Sequence, residues 1–227
     1  FKSIFKFIII MKVLLALPGK YYSGNFLVCM INFIHNCYHN NIEIMTVQRF
    51  NSFLPFCRAS TLGANIFSGA TQKLCQGNFD FDYVLMIDSD QIFSYDNFIK
   101  LINEDKDFIS GVYLMDKGKY TSIVENYDDN YFLQHGNYRF ITNDEINKRV
   151  EPFKISGYVG LGFCVFKPHI LEKIEYPWFA PIIKKFPGGI QELKSEDASF
   201  CEKLINAGID IYIHPQVRIG HEKSIIY

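Results

Sequence analysis

The sequence is poor in the features that mark zinc sites and disulfide frameworks. It has six cysteines, but they are scattered through apolar stretches, with no CxxC pair and no cysteine–histidine cluster at zinc-ligand spacing. Isolated cysteines in apolar surroundings are typical of reduced, buried thiols, so we expect a reducing compartment, the cytoplasm. The pattern supports no catalytic role for cysteine.

Basic clusters, long polar tracts and internal repeats are also absent from the sequence. The formal net charge is −1, and because lysine and arginine are dispersed, we expect no nucleic-acid partner. Aromatic residues make up 16% of the chain, which argues against disorder. The 227 residues contain no linker-like segment and are enough for one substantial hydrophobic core.

The opening residues, FKSIFKFIIIMKVLLALPG, contain no uninterrupted apolar run long enough to cross a membrane, because Lys2, Lys6 and Lys12 divide them. They also lack the cleavage site of a signal peptide. We therefore expect membrane association to be weak at most. Residues 1–10 are predicted to be an N-terminal extension before a natural start at Met11, and residues 11–227 to form a single domain.

Strand and helix signals alternate along the first half of the sequence. Apolar runs bounded by turn residues predict strands, and apolar positions at helical spacing predict helices. The predicted strands are 12–18, 42–47, 83–87 and 107–114. The helices between them are 25–38, 53–74 with a break near Gly63, and 95–103. This order predicts an α/β fold with a mostly parallel, Rossmann-like central sheet flanked by helices.

The second half of the sequence has a different pattern of apolar and turn residues. Residues 116–153 contain short aromatic segments and turns, which predict a small hairpin-rich excursion from the sheet. After this segment the patterns of buried strands and helices return. Strands are predicted at 158–166 and 209–215, and helices at 168–174 and 195–207. Gly208 follows the last helix at the position where glycine commonly ends a helix.

The stretch VLMIDSDQIF, residues 84–93, places two carboxylates directly after a buried strand. Asp88 and Asp90 are expected where this strand leaves the core, at the edge of an α/β sheet where ligands bind. Such a pair suits Mg²⁺ or Mn²⁺, which take few carboxylates and complete their shell with water and phosphate. A solvated turn or a helix cap is the structural alternative. An EF-hand calcium loop is excluded, because Phe93 and Ile99 stand where it needs glycine and glutamate.

A second acidic pair, Glu196 and Asp197, opens the helix predicted after Ser195. A serine N-cap and acids in the first turn are what a helix prefers for its own stability. The alternative is that one of the two carboxylates is a general base that takes a proton from an attacking hydroxyl. The residues by themselves leave both interpretations open.

Five segments in a fixed order give the sequence a family resemblance. VLMIDSD, GLGFCVF, SED at a helix start, AGIDIYIHP and a terminal GH together resemble the GT-A glycosyltransferases, over residues 12–223. The loop at 177–189 is also similar to small enzymes of this family from large DNA viruses and bacteria. The resemblance implies a GT-A-like fold and a metal-dependent transferase with a nucleoside-diphosphate-sugar donor, most commonly of UDP. It further implies a glycan, protein or lipid acceptor and, for a viral enzyme, the host cytoplasm.

The same resemblance implies roles for the acidic residues. Asp88 and Asp90 correspond to the metal-binding D-x-D motif, with Asp90 nearest the Mn²⁺ or Mg²⁺ ion and Asp88 reaching the ribose or a water on the metal. His221 corresponds to a histidine that completes the metal site, a packing or surface histidine being the alternative. Asp197 corresponds to the general base and Glu196 to a residue that orients the acceptor, which makes the predicted transfer inverting.

The resemblance also implies a nucleotide pocket. Arg58 is expected to reach toward the diphosphate rather than lie on a solvated helix surface, and Gly160 and Gly162 to admit a ligand rather than mark a bulge. Trp178 and Phe179 are expected to form a mobile loop that stacks on the sugar, a packed loop being the alternative. The predicted nucleotide-binding residues are Leu17, Pro18, Gly19, Arg58, Asp88, Ser89, Gly160 and Gly162.

Two other functions remain open. A sugar-phosphate nucleotidyltransferase uses strand-end acids and a metal on a similar sheet, but its first strand is usually followed by a glycine-rich loop with basic residues. Here that loop reads LPGKYYSGN and offers only Lys20. A non-catalytic sugar- or partner-binding module on the same scaffold is the third hypothesis. The joint presence of Asp88, Asp90, Asp197 and His221 favours the enzyme.

Overall fold

The computed structural model describes residues 11–115 and 118–223, so the expected N-terminal extension at 1–10 lies outside the described residues. The strands in these ranges are β1 (Met11–Pro18), β2 (Ile42–Arg49), β3 (Tyr83–Ile87), β4 (Gln91–Ile92), β5 (Phe108–Tyr113), β6 (Tyr120–Val124), β7 (Phe140–Thr142), β8 (Phe153–Ile155), β9 (Tyr158–Val159), β10 (Phe163–Phe166), β11 (Ile183–Lys185), β12 (Gln191–Leu193) and β13 (Ile211–His221). The α-helices are α1 (Gly24–His39), α2 (Leu54–Thr61), α3 (Tyr95–Asn103), α4 (Asp129–His135), α5 (Asn143–Asn147) and α6 (Glu196–Asn206).

The described residues form one large sheet of eight strands in the order β2–β1–β3–β10–β5–β13–β4, with β8 also paired to the first part of β13. Strands β1, β2, β3, β5 and β13 share one direction, and β4, β8 and β10 run against them. Helices flank this sheet, and β6, β7 and β9 make a small second sheet. The expected GT-A-like α/β class, with a mostly parallel sheet and a hairpin-rich excursion, is confirmed.

Helices cover both faces of the large sheet because strand side chains point alternately to its two sides. On one face Leu15 packs with Phe33 of α1 and Phe98 of α3. On the other face Leu14 belongs to the core that contains Phe200 of α6. Each of these side chains is fully buried, which contributes about 1.5–3 kcal/mol per residue. None of the helices in the described ranges has the length and apolar composition to cross a membrane.

The helix predicted at 53–74 ends at the break expected near Gly63, and it does not resume as an α-helix beyond it. α2 ends at Thr61, and Gly63 follows with a φ of +72°, a left-handed conformation that ends helices. A Cβ on Gly63 would lie 2.7 Å from the Cα of Cys75, so the chain can fold back closely only because this residue is glycine. Much of the remainder forms irregular chain and short 3₁₀ turns, one of them at Leu74–Gly77.

Two further boundaries differ from the prediction. The strand expected at 158–166 is divided, since β9 pairs with β6 in the small sheet and β10 lies between β3 and β5 in the large one. The last strand is longer than expected, because β13 continues past Pro215 to His221 with a register shift between Ile213 and Arg218. This extension places His221 opposite Gln91 of β4.

Candidate active site at the carboxyl edge of the sheet

Parallel pairing brings the first part of the candidate site together. β1 and β3 are neighbours that run in the same direction, so the loops after Pro18 and Ile87 leave the sheet at the same edge. The two loops meet closely, because a Cβ on Gly19 would lie only 2.7 Å from the Cβ of Ser89. Gly19 is therefore required for the loop after β1 to pack against the aspartate loop.

A buried arginine lies at the centre of the site. Arg58 comes from α2, is 1% exposed, and donates from Nη1 to Oδ1 of Asp88 at 2.8 Å and from Nη2 to Oδ2 at 3.1 Å. Its Nε lies 3.5 Å from Oε1 of Glu196, and Nη2 lies 3.6 Å from Oδ1 of Asp197. The alternative of a solvated surface arginine is therefore wrong. One guanidinium joins the acidic pair after β3 to the acidic pair at the start of α6.

Three carboxyl groups, those of Asp88, Glu196 and Asp197, share the single cation Arg58. Burial raises the pKa of Asp197, Arg58 opposes this, and the neighbouring carboxylates of Glu196 and Asp88 raise that pKa further. Oδ1 of Asp197 is buried and has no hydrogen-bond partner among the described residues. It faces Nη2 of Arg58 at 3.6 Å, and the side chain as a whole is 21% exposed, so a ligand can reach the carboxyl group. A reachable carboxyl group with a raised pKa is suited to act as a general base.

Asp90 lies at the open side of the site, with its side chain 41% exposed. Its Oδ2 lies 3.0 Å from Nε2 of His221 and accepts from Nζ of Lys223 at 3.1 Å, while Oδ1 accepts from Nε2 of Gln91 at 3.1 Å. Although partial burial opposes it, the hydrogen bonds from His221 and Lys223 hold the pKa of Asp90 well below its usual value. Asp90 is therefore ionised across the physiological range.

The donor set at Asp90 fits a divalent cation in part. Two ligands in adjacent positions of an octahedral ion, with bonds of about 2.1 Å, lie about 3 Å apart, close to the 3.0 Å between Asp90 Oδ2 and His221 Nε2. Within the described ranges, however, no three His, Cys, Asp or Glu residues are grouped to hold an ion. The predicted trio with Asp88 is not assembled, because both oxygens of Asp88 accept from Arg58. An ion held by Asp90 and His221 would take its remaining ligands from water and phosphate.

A cleft of about 300 Å³ lies beside this acidic edge. Five of the predicted residues line it, namely Pro18, Gly19, Asp88, Ser89 and Asp90, together with Lys20, Phe50, Asn51, Leu54 and Cys57. The Phe50 ring is 56% exposed, and the Lys20 ammonium lies 5.4 Å from its centroid. Leu17, by contrast, is 6% exposed and packs in the core, so this cleft is lined from Pro18 onward.

Gly160 and Gly162 make room for a side chain rather than for a ligand. A Cβ on Gly160 would lie 2.0 Å from the hydroxyl oxygen of Tyr113, and one on Gly162 would lie 3.0 Å from the same ring. The Tyr113 ring in turn packs edge-on against His221, with centroids 5.1 Å apart. The expectation that these glycines admit a nucleotide is corrected, since Tyr113 fills the space they leave.

The expected sugar-stacking loop is also corrected. Trp178 and Phe179 are 0% and 1% exposed, and Phe179 stacks on Phe200 of α6 with centroids 4.6 Å apart. Their rings are part of the hydrophobic core, because burying two large aromatic side chains is strongly favourable. This loop therefore supports the helix that carries Glu196 and Asp197, and its aromatic rings do not reach the site.

Sequence reasoning missed three residues of the site. Gln91 and Lys223 both contact Asp90, and each stands within two residues of a predicted site residue, which was the available signal. Tyr113 gave no such signal, since it reads as one more apolar position of β5. Its contact with His221 arises only because β5 and β13 are neighbours in the sheet.

No protein-family model matches the sequence, and no curated protein matches it. Among solved structures, A197 from STIV is similar in fold, with a TM-score of 0.51 at 16% identity over 96% of this chain and 97% of that chain. GalNAc-T7 with UDP, GalNAc and Mn²⁺ has a TM-score of 0.49 at 9% identity, over 95% of this chain and 44% of that one. The inositol-1-phosphate CTP transferase from T. maritima has a TM-score of 0.43 at 11% identity, over 94% and 89%. The likeness to A197 concerns the fold alone.

Proposed function

We propose that the protein is a metal-dependent glycosyltransferase, which moves a sugar from a nucleoside-diphosphate donor, with UDP as the first candidate, to an acceptor hydroxyl. One observation carries this proposal. Asp88, at the end of β3, and the pair Glu196 and Asp197, at the start of α6, converge on a single buried arginine, Arg58, next to a cleft at the carboxyl edge of the sheet. Ligands bind at this edge in open α/β folds.

The cleft side of the site suits the nucleoside diphosphate. Asp90 and His221 would hold Mn²⁺ or Mg²⁺, which when bound neutralises the diphosphate and so favours its departure. The loop after β1 and the Phe50 ring line the space beside these residues, where a planar base can lie against an aromatic face. Arg58 would hold Asp88 in a fixed orientation through its two hydrogen bonds.

The α6 side of the site suits the acceptor. Asp197 would take the proton of the acceptor hydroxyl while that oxygen bonds to the anomeric carbon and the bond from this carbon to the diphosphate breaks. The raised pKa of Asp197 supports this role, and its side chain is 21% exposed, so an acceptor hydroxyl can reach the carboxyl group. Glu196, beside it on the first turn of α6, would orient the acceptor. A base on the face opposite the leaving group gives inversion at the anomeric carbon.

The test is calorimetric titration with UDP, GDP and dTDP, each with and without Mn²⁺, followed by turnover with sugar donors of the nucleotide that binds. Tight binding of one nucleotide that is lost without the metal is the expected result. Asp90→Asn should weaken this metal-dependent binding, whereas Asp197→Asn should leave it intact and remove turnover. Asp96→Asn, an exposed acid at the start of α3, is the matched control. Failure of every nucleotide to bind in Mn²⁺ and in Mg²⁺ would refute the proposal.

A further inference from the structure

A second cleft, of about 560 Å³, lies on the hairpin-rich region between β6, α4 and β7. We name it the tyrosine cleft, after Tyr120, Tyr131 and Tyr138, which line it together with His135, Asn137 and Arg139. It shares no lining residue with the cleft beside Asp88, and the glycosyltransferase proposal assigns it no role. Its volume is within the range of small-molecule binding sites.

Flat aromatic surfaces dominate this cleft. Tyr131 and His135 are four residues apart on α4, so their rings lie on the same side of the helix, stacked with centroids 4.0 Å apart and planes 16° apart. The His135 ring is fixed by its Nδ1, which lies 2.9 Å from the carbonyl oxygen of Tyr131. Tyr120 is 39% exposed, and the Lys119 ammonium lies 5.1 Å from the centroid of its ring. Rings held in place with an exposed face pair well with the C–H faces of sugar rings, which are equally flat and apolar.

The remaining walls supply hydrogen-bonding groups. Tyr138 is 7% exposed and donates its hydroxyl to Oδ1 of Asp129, which makes it a rigid wall. Asn137 is exposed and presents both a carbonyl oxygen and an amide NH₂, the pair of groups that matches neighbouring sugar hydroxyls. Arg139 pairs with Glu145, so its charge is already balanced. The lining residues therefore offer polar contacts that suit a neutral ligand.

From this combination we propose that the tyrosine cleft binds a short, neutral carbohydrate chain. Aromatic faces would hold the apolar faces of the sugar rings, and Asn137 would bind their hydroxyls. A phosphate ligand would need an unpaired cation, and the lining cation, Arg139, is paired with Glu145. A metal ion would need a group of carboxylate, thiolate or imidazole ligands, and the described residues hold no such group.

The experiment is titration of the full chain with neutral trisaccharides, namely maltotriose, cellotriose, mannotriose and chitotriose, followed by calorimetry and by backbone amide NMR shifts. We expect at least one trisaccharide to bind and to shift amides of α4 and β7. Tyr131→Ala and Asn137→Ala should each weaken that binding about fivefold or more, as expected for loss of a ring face or a hydrogen-bonded amide. Tyr38→Ala, an exposed tyrosine on α1, should leave it unchanged.

Three results would overturn the inference: no binding by any of the four trisaccharides, shifts confined to other parts of the chain, or binding that both cleft variants retain in full. Tyr131→Phe keeps the ring and should keep most of the affinity, which separates loss of stacking from a general failure to fold. The nucleotide titration is run on the same samples. Because it reports on the other cleft, failure of the transferase proposal and failure of this inference give different results.

Discussion

Arg58 and Asp88 form a two-bond fork inside the protein, with Nη1 donating to Oδ1 at 2.8 Å and Nη2 donating to Oδ2 at 3.1 Å. Arg58 is the only cation within 4 Å of Glu196 and Asp197 among the described ion pairs. Breaking a buried ion pair from one side leaves the other charge without compensation, which is more costly than the pair is favourable. Loss of Arg58 is therefore expected to destabilise the folded protein as well as to disturb the candidate site.

The first prediction concerns the stability contributed by Arg58. Arg58→Met should lower the free energy of unfolding by about 3–5 kcal/mol at pH 8, because three carboxylates lose their buried counter-charge. The loss should shrink as the pH falls, since protonation of Asp197, whose pKa is raised by burial, removes part of the uncompensated charge. Urea denaturation followed by circular dichroism at pH 5 and pH 8 measures both effects. Arg139→Met, at a site where the side chain is 60% exposed, should change stability by less than about 1 kcal/mol. An Arg58→Met loss that is equally small and independent of pH would contradict this account.

The second prediction concerns pH dependence. In the proposed reaction Asp197 must be ionised to accept a proton. Because burial and the acidic neighbours raise its pKa, kcat/KM should rise with pH at values above those of an ordinary carboxyl group. Glu196→Gln removes one of the groups that raise this pKa, so the rise of kcat/KM should occur at lower pH. This shift is expected even where the maximal kcat/KM of the variant is lower. Glu192→Gln, an exposed acid on β12, should leave the pH of this rise unchanged. If the rise of kcat/KM in Glu196→Gln occurs at the same pH or at a higher pH, Asp197 is not the titrating base.

The third prediction concerns the metal. Lys223 donates to the same oxygen of Asp90 that lies next to His221, so its ammonium competes with a cation for that carboxylate. Lys223→Met should strengthen Mn²⁺ binding about fivefold in the absence of nucleotide, as expected for removal of one nearby like charge. His221→Ala should weaken it. Electron paramagnetic resonance of free Mn²⁺ measures both, and Lys148→Met, an exposed lysine, controls for the change in net charge. Equal Mn²⁺ affinities of the Lys223→Met and Lys148→Met proteins would show that Asp90 does not bind the metal.

The main sheet and the position of the acidic pairs were predictable because their signals are local. An apolar run followed by Asp88 and Asp90 marks a strand end, and Ser195 before two acids marks a helix start. Both signals depend on neighbouring residues in the chain. The alternation of strands and helices then determines which strand ends share an edge, since parallel strands joined by helices must all point the same way.

The arrangement inside the site was not predictable for the same reason. Arg58 meets Asp88, Glu196 and Asp197 only through tertiary packing, and nothing next to it in the sequence distinguishes a buried arginine from a solvated one. The two glycines of YVGLGF indicated a close approach but not the group that approaches. That group is Tyr113, on a strand 47 positions before Gly160.

The last prediction tests that close approach. Gly160→Ala should destabilise the protein by about 2 kcal/mol, because the new Cβ would lie 2.0 Å from the Tyr113 hydroxyl oxygen and must displace the ring that packs against His221. In a Tyr113→Phe background the same substitution should be clearly less destabilising, since the atom nearest to the new Cβ is gone. Thermal and urea unfolding of the four proteins of this double-mutant cycle measure the difference. Gly24→Ala is the control, because a Cβ there meets nothing within 4 Å and alanine is the better helix former. Strictly additive losses of unfolding free energy would mean that the backbone around Gly160 requires glycine. The inference that Gly160 makes room for Tyr113 would then be wrong.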